Sequence, residues 1–286
     1  MFFFIGAAVV LVSVIGGYLM NGGHLFVLFQ PFEFLIIAGA AVGGFIIANP
    51  KSVVTGAARS FGKILKGSRY DKQSYIQLLS LLYQLFKLAK TKGMLALEQH
   101  VENPAESWLF KEFPEFCKDK TALTFLCDYL RMLTLGTDNP HEVEALIDEE
   151  LETHHQEHAR ISNALQTVAD SLPALGIVAA VLGVIHTMGS ITQPPEVLGH
   201  LIGGALVGTF LGVLLSYGFV GPMANALKAV DEAETKYLQA IKAGLLAHMQ
   251  GYPPAVSVEF ARKVLLQDER PTFYEIENAV GSLPPV

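Results

Sequence analysis

Residues 171–225 read SLPALGIVAAVLGVIHTMGSITQPPEVLGHLIGGALVGTFLGVLLSYGFVGPMAN, with no Lys, no Arg and one acid, Glu196. Two apolar runs lie inside this stretch, 172–190 and 201–220, and neither holds Asp, Glu, Lys or Arg. A helix of about 20 apolar residues crosses the hydrocarbon of a bilayer. The pair therefore reads as a transmembrane hairpin closed by the short loop 191–200. Its texture is that of small residues. Gly204, Gly208, Gly212 and Ser216 recur every fourth position, as do Ala179, Gly183 and Thr187, with Gly176 and Ala180 beside them. Such ridges let helix backbones approach closely in lipid. They serve packing between the two spans of one chain, or a surface for another subunit or partner helix; the two uses can coexist.

A second hairpin stands at the other end. Residues 1–50 contain no Lys or Arg and one acid, Glu33. Spans are expected over 1–20 and over 34–48, the latter bounded by Pro31 and Pro50, with a loop at 21–33. No basic segment precedes the first run, so it reads as a retained span rather than a cleaved signal. This hairpin is rich in Phe, Leu and Ile, which suits contact with lipid. All 20 Lys and Arg fall elsewhere, 14 in 51–170 and 6 in 226–286. The positive-inside rule places both short loops outside and both basic regions, with both termini, in the cytoplasm. Four parts follow: a transmembrane hairpin (1–50), a cytoplasmic helical domain (51–170), a second hairpin (171–225) and a cytoplasmic helical tail (226–286).

Composition agrees with this division. Of 286 residues, 51% are hydrophobic and 16% charged, against about 25% charged in a soluble domain, and the mean hydropathy is +0.39. A disordered chain and a soluble two-domain enzyme are excluded. The net charge of −7 comes without a basic stripe, so no nucleic-acid partner is expected. Cys117 and Cys127 form no CxxC pair and read as reduced packing residues.

The cytoplasmic part is helical by pattern. Ile76, Leu79, Leu82, Leu85 and Leu88 recur at helical spacing, widened by Tyr83 and Phe86. Gly93 ends that helix, 95–101 resumes the pattern, Pro104 and Pro114 punctuate it, and 123–135 forms another helix closed by Gly136. From 141 to 169 the pattern is helical without Gly or Pro, so this helix runs almost unbroken into span three. Residues 224–246 continue span four in the same way. Pro271, followed by Glu275 and Glu277, marks a last short helix. The fold expected is all-α: four transmembrane helices, a helical cytoplasmic domain, and long helices continuing from spans three and four.

Candidate chemistry is sparse. His154-His155-Gln156-Glu157-His158 matches the H-x-x-E-H pattern of a zinc peptidase. It lies among Glu144, Asp148, Glu149, Glu150 and Glu152, so a solvated polar helix face is the expected reading, with no metal bound. No phosphate-binding loop or nucleophile motif stands in a usable context; no catalytic residue and no cofactor is expected, and the chain does not read as an enzyme. His186, near the outer end of span three, reaches the interface cheaply. Thr209 is mid-span; its hydroxyl either bonds the Ala205 carbonyl one turn back or lines an ion path. The spans hold no mid-membrane acid. Proton relays in a bilayer need Asp, Glu or His, so any ion-binding carboxylate must come from another chain. Pro173 and Pro222 bracket the second hairpin on its cytoplasmic side, as static bends or as hinges.

These residues carry a resemblance. Gly16-Gly17-Tyr18-Leu19-Met20, the run from Asp170 to Ala180 with its Leu172-Pro173-Ala174-Leu175-Gly176 core, Leu206-Val207-Gly208-Thr209-Phe210-Leu211-Gly212, Glu102-Asn103-Pro104 and Arg270-Pro271-Thr272-Phe273 together resemble the MotA family of bacterial flagellar stator subunits. The likeness extends over residues 1–279. It implies a homopentamer around a MotB dimer whose single span supplies the ion-binding aspartate, an ion path along spans three and four, and torque on the rotor protein FliG at the bacterial inner membrane. By motif, Thr209 and Ala180 fall on ion-path positions, Pro173 and Pro222 on coupling prolines, and Glu98 on a rotor-facing acid. Lys90 stands where the family pattern has Arg, keeping the charge but losing the guanidinium fork. Sodium-driven relatives carry Thr where this chain has Ala180, so protons are the expected ion. An ExbB/TolQ-type energiser of outer-membrane processes is the alternative, but such proteins have three spans and an outside N-terminus.

Overall fold

The computed structural model describes residues 2–67 and 69–284. Among these, fourteen α-helices and no strand occur. The chain divides into two units. The first comprises Met1–Gly67 and Glu157–Val230, the second Ser68–Gln156 and Asp231–Val286.

In the first unit α1 (Phe2–Met20) is followed by a one-turn helix α2 (Leu25–Leu28), then α3 (Pro31–Ala48) and α4 (Lys51–Lys66). Pro31 at the first helical position starts α3 three residues before the apolar run expected at 34, since its missing N–H is unneeded there. The second hairpin uses the end of α10 (Pro140–Met188), then α11 (Pro195–Leu215) and, past a π-helical turn at Ser216–Val220, the beginning of α12 (Gly221–Met249). Here α11 begins inside the stretch expected as loop, because Pro195 opens it and Glu196 complements its first turn. Four helices are long and apolar enough to cross a membrane: those containing Phe3–Met20, Leu25–Ala48, Pro140–Met188 and Pro195–Met249. Many large apolar side chains on them face outward in the single chain, Phe32, Ile47 and Leu206 among them, as lipid contact requires.

α10 is continuous over 49 residues with Pro173 inside it, about 73 Å at 1.5 Å per residue. The expected merging of the 141–169 pattern with span three is therefore what occurs. Two small clusters hold this unit: Ile37, Ala41, Leu172 and Ala179; and Ala57, Ile64, Leu165, Ala224 and Leu227, against which Phe3 and Phe45 pack.

The second unit is built around α5 (Lys72–Lys92), whose middle is buried nearly all round, Ser80 and Gln84 included. The sequence pattern predicts an apolar face of Ile76, Leu79, Leu82, Leu85 and Leu88, widened by Tyr83 and Phe86. Instead, helices cover it from several directions: α6 (Glu98–Glu102), α7 (Trp108–Lys111), α8 (Pro114–Lys118), α9 (Lys120–Thr134), the lower parts of α10 and α12, α13 (Pro254–Lys263) and α14 (Phe273–Gly281). Leu126, Leu130, Ile147, Ile241 and Ala261 meet Leu79, Leu82 and Phe86 in one core. Asp71, Ser107 and Asp119 cap α5, α7 and α9 with side-chain oxygens. α14 starts two residues after Pro271: Thr272 and Glu275 form a reciprocal capping box, Glu275 accepting from the Thr272 N–H at 2.7 Å. Cys127 is buried and Cys117 half-buried, both as free thiols; burial pushes the Cys127 thiol up to about 12, consistent with a packing role.

Candidate functional site

The small-residue ridges of α10 and α11 meet each other inside one chain. A methyl group added at Gly212 would lie 2.6 Å from the Leu172 carbonyl oxygen and 2.8 Å from the Gly176 Cα. One added at Gly176 would lie 2.8 Å from the Gly208 oxygen, and one at Gly208 would lie 3.0 Å from the Ala180 nitrogen. At Gly183 it would meet the Ala205 Cβ at 2.7 Å. Backbone touches backbone along three turns, and only glycine permits it. Of the two uses open to the ridges, packing within the chain is made here.

That contact positions the two ion-path candidates. Ala180 and Thr209 are each half-buried at the flank of the seam, with Ala180 following the buried Ala179 and Thr209 following the buried Gly208. The Thr209 hydroxyl takes no hydrogen bond among the described residues, so the expected alternative of a bond to Ala205 is not realised. Thr187, one turn beyond Gly183, makes such a back-bond instead, at 2.8 Å to the Gly183 carbonyl. Thr209 thus holds an unspent hydroxyl beside a tightly packed seam. His186 is exposed.

The proline positions differ from one another. Pro173 is half-buried within the uninterrupted α10, whereas Pro222 is exposed in the first turn of α12, immediately after the π-helical turn. A π turn inserts one residue into the helical register and recurs at working sites. Nothing in the sequence signalled it, although Gly218 lies within the turn and Gly221 follows it.

In the second unit Lys90 lies in the last turn of α5 and Glu98 opens α6, both exposed. Gly93, at φ +87°, turns the chain between them into a 3₁₀ turn, Met94–Leu97. Neither side chain forms an ion pair among the described residues. Leu95 between them is 71% exposed, a feature the charge-based reading missed. Behind this edge, Arg131 joins α9 to α6 through Glu102 at 2.6 Å and also holds Asp128 at 2.8 Å. His248 of α12 stacks on Phe86 at 4.6 Å. Burial first, then the Lys90 charge, holds its pKa below the usual histidine value. His100, whose Nδ1 lies 2.7 Å from the Ser107 hydroxyl, is depressed by burial and by Lys92. On α10 Glu157 is exposed, as a solvated face requires, but His154 and His158 are half-buried.

Comparison with known proteins places the chain. Residues 4–93 match the family described as motility protein A N-terminal, and residues 118–240 match the MotA/TolQ/ExbB proton channel family. Motility protein A of Salmonella typhimurium is 45% identical over 99% of this chain and 96% of its own length. The Escherichia coli strain K12 protein of the same name is 46% identical with the same coverage. A chain of the C. jejuni MotAB structure shares the fold at a TM-score of 0.78 and 21% identity, covering 93% of this chain and 96% of the other. With four spans, an all-α fold and a relative of this similarity along nearly its whole length, the chain belongs to the motility protein A family, the multi-pass membrane subunits of flagellar stators.

Proposed function

We propose that this chain forms a homopentameric ring around a dimer of MotB in the bacterial inner membrane, with both termini cytoplasmic. Ions pass along the face of α10 and α11 where Ala180 and Thr209 lie, and the ring converts their flow into torque on the rotor protein FliG. The observation that carries this reading is the pairing of two features. The second hairpin has a free mid-span hydroxyl, and the spans have no mid-membrane acid. A path so built needs a carboxylate from a partner helix, which MotB supplies. Each proton crossing 100 mV releases about 2.3 kcal/mol, so each step must meet low barriers, and the smooth seam of Gly and Ala supports that. Pro173 and Pro222 couple the spans to the helices that continue from them. Lys90 and Glu98, exposed and unpaired on one edge, engage opposite charges on the rotor.

Protons are the driving ion, because Ala180 offers no hydroxyl to a sodium ion. The match of residues 4–93 to the motility protein N-terminal family, beside the region shared with TolQ and ExbB, favours a stator over an energiser. The test is swimming speed of a strain lacking its own MotA and carrying this chain with a matched MotB. Speed is expected to survive sodium removal and to collapse with a protonophore. Loss on sodium removal overturns the ion assignment, and immobility despite membrane expression overturns the stator reading.

A further inference from the structure

The segment between Glu33 and Asp71 contains five Lys or Arg and no acid, in a chain whose net charge is −7. Most of it is α4, a helix with three distinct rows. Val53, Ala57, Ser60 and Ile64 form a buried row, and Ala57 and Ile64 pack on Leu165, Ala224 and Leu227. Lys51, Thr55 and Arg59, at four-residue steps, form an exposed polar row. Beside it, between the polar and the buried rows, run Val54, Ala58, Phe61 and Leu65; Phe61 is 48% and Leu65 43% exposed. The chain's own fold uses only the first row. Lys51 and Arg59 have no ion pair among the described residues.

The level of α4 along the spans is set by its neighbours. It begins three residues after α3 ends, and the cluster beneath it is packed against by Phe3, at the start of α1, and Phe45, near the end of α3. It therefore lies at the margin where both spans of the first hairpin end. A helix there with an apolar row beside a basic row matches the bilayer interface: the aromatic and aliphatic side chains enter below the glycerol level and the cations meet phosphate oxygens.

We propose that α4 is an interfacial anchor selective for anionic phospholipid, with Lys51 and Arg59 contacting headgroup phosphates and Phe61 and Leu65 seated among the upper acyl carbons. The assignment rests on the membrane orientation proposed above. It adds the lipid class and the residues that recognise it. The polarity of the two rows excludes a purely neutral interface as the preferred surface, since an anionic leaflet attracts each cation by about fivefold in binding.

The full chain with MotB, reconstituted in vesicles of equal parts phosphatidylcholine and phosphatidylglycerol, tests this with spin-labelled probes of each lipid. The wild-type complex is expected to restrict the phosphatidylglycerol probe more than the phosphatidylcholine probe, less so in high salt. In Lys51→Gln/Arg59→Gln that preference should fall by about fivefold per charge, with unchanged elution on gel filtration. Phe61→Ser should weaken restriction of both probes near α4 without restoring neutrality of choice. Lys118→Gln, which removes an exposed cation in the other unit, should leave the preference intact. Retention of the preference in the double variant, an equal fall in Lys118→Gln, or abolition of the preference by soluble glycerol phosphate overturns the proposal. Restriction of both probes equally by the wild type overturns the lipid selectivity alone. Restriction of neither overturns the membrane reading itself.

Discussion

The two hairpins carry glycine at similar density and use it differently. In α1 and α3, a methyl added at Gly6, Gly16, Gly17, Gly39, Gly43 or Gly44 meets no atom of the chain within 4 Å. In α10 and α11, a methyl at Gly176, Gly183, Gly208 or Gly212 meets backbone or Cβ atoms of the facing helix at 3.0 Å or less. Glycine in a span is thus either a surface or a seam. Large neighbours such as Phe32, Phe34 and Leu35 leave the first hairpin facing outward. The regular four-residue repeat in both helices of the second lets the ridges interlock.

The sharpest way to break this comparison is Gly212→Val. Its new side chain would point at the Leu172 carbonyl, which cannot rotate away, so the loss should reach the upper end of overpacking costs, about 3 kcal/mol. Thermal unfolding of the detergent-solubilised chain and the yield of assembled complex would show it. A stable, motile Gly212→Val protein would mean the seam is looser than the geometry states.

Thr209→Val leaves the seam in place and removes the unspent hydroxyl. Loss of one contact to a passing ion, about 1 kcal/mol, slows transfer about fivefold. Swimming speed under load should fall while complex yield is unchanged. Equal loss of both would reassign Thr209 to packing.

Acid should separate the hairpins from the core of the second unit. His248 and His100 are both depressed below the usual histidine value by burial, with Lys90 and Lys92 adding to it. The unfolded chain then binds more protons than the folded one just below pH 6.5. Their contribution to stability is complete above that pH and is lost as pH falls toward the folded-state values. Hydrogen exchange in α5 and α12 should accelerate across this window, and His248→Phe, stacked on Phe86, should flatten the response. An unchanged slope in that variant would place the sensitivity at His100.

The smallest effect is expected for Gly43→Ala. Nothing in the chain opposes the added methyl, and helix propensity favours it by up to about 1 kcal/mol. Unfolding temperature should hold or rise. If the isolated chain is stabilised but ring assembly fails, a neighbouring copy occupies the open face of α3.

Much of this architecture is legible along the chain because the deciding quantities are local. Span number follows from apolar run length, and the continuity of α10 from a helical pattern free of Gly and Pro over 141–169. The missing carboxylate follows from composition. Some helices escaped for equally local reasons, and α2, inside the stretch expected as loop, is only one turn long. α13 opens with Pro253-Pro254, which reads as a break, although Pro254 sits at the first helical position where proline is tolerated. α4 escaped because it directly follows Pro50, which reads as the end of the second span, although Pro50 here is the N-cap of a new helix.

The candidate site divides along the same line. Motif alone singled out Ala180, Thr209, Pro173, Pro222, Lys90 and Glu98. It did not distinguish the hydroxyl of Thr209, left unspent, from that of Thr187, bonded to its own helix. It did not reveal the π turn before Pro222, or Leu95 exposed between two free charges. Those features depend on which atoms of distant segments come within bonding or contact range. Backbone approach between α10 and α11, and the register slip at Ser216–Val220, are properties of packed surfaces, and no periodicity within one segment encodes its partner's position.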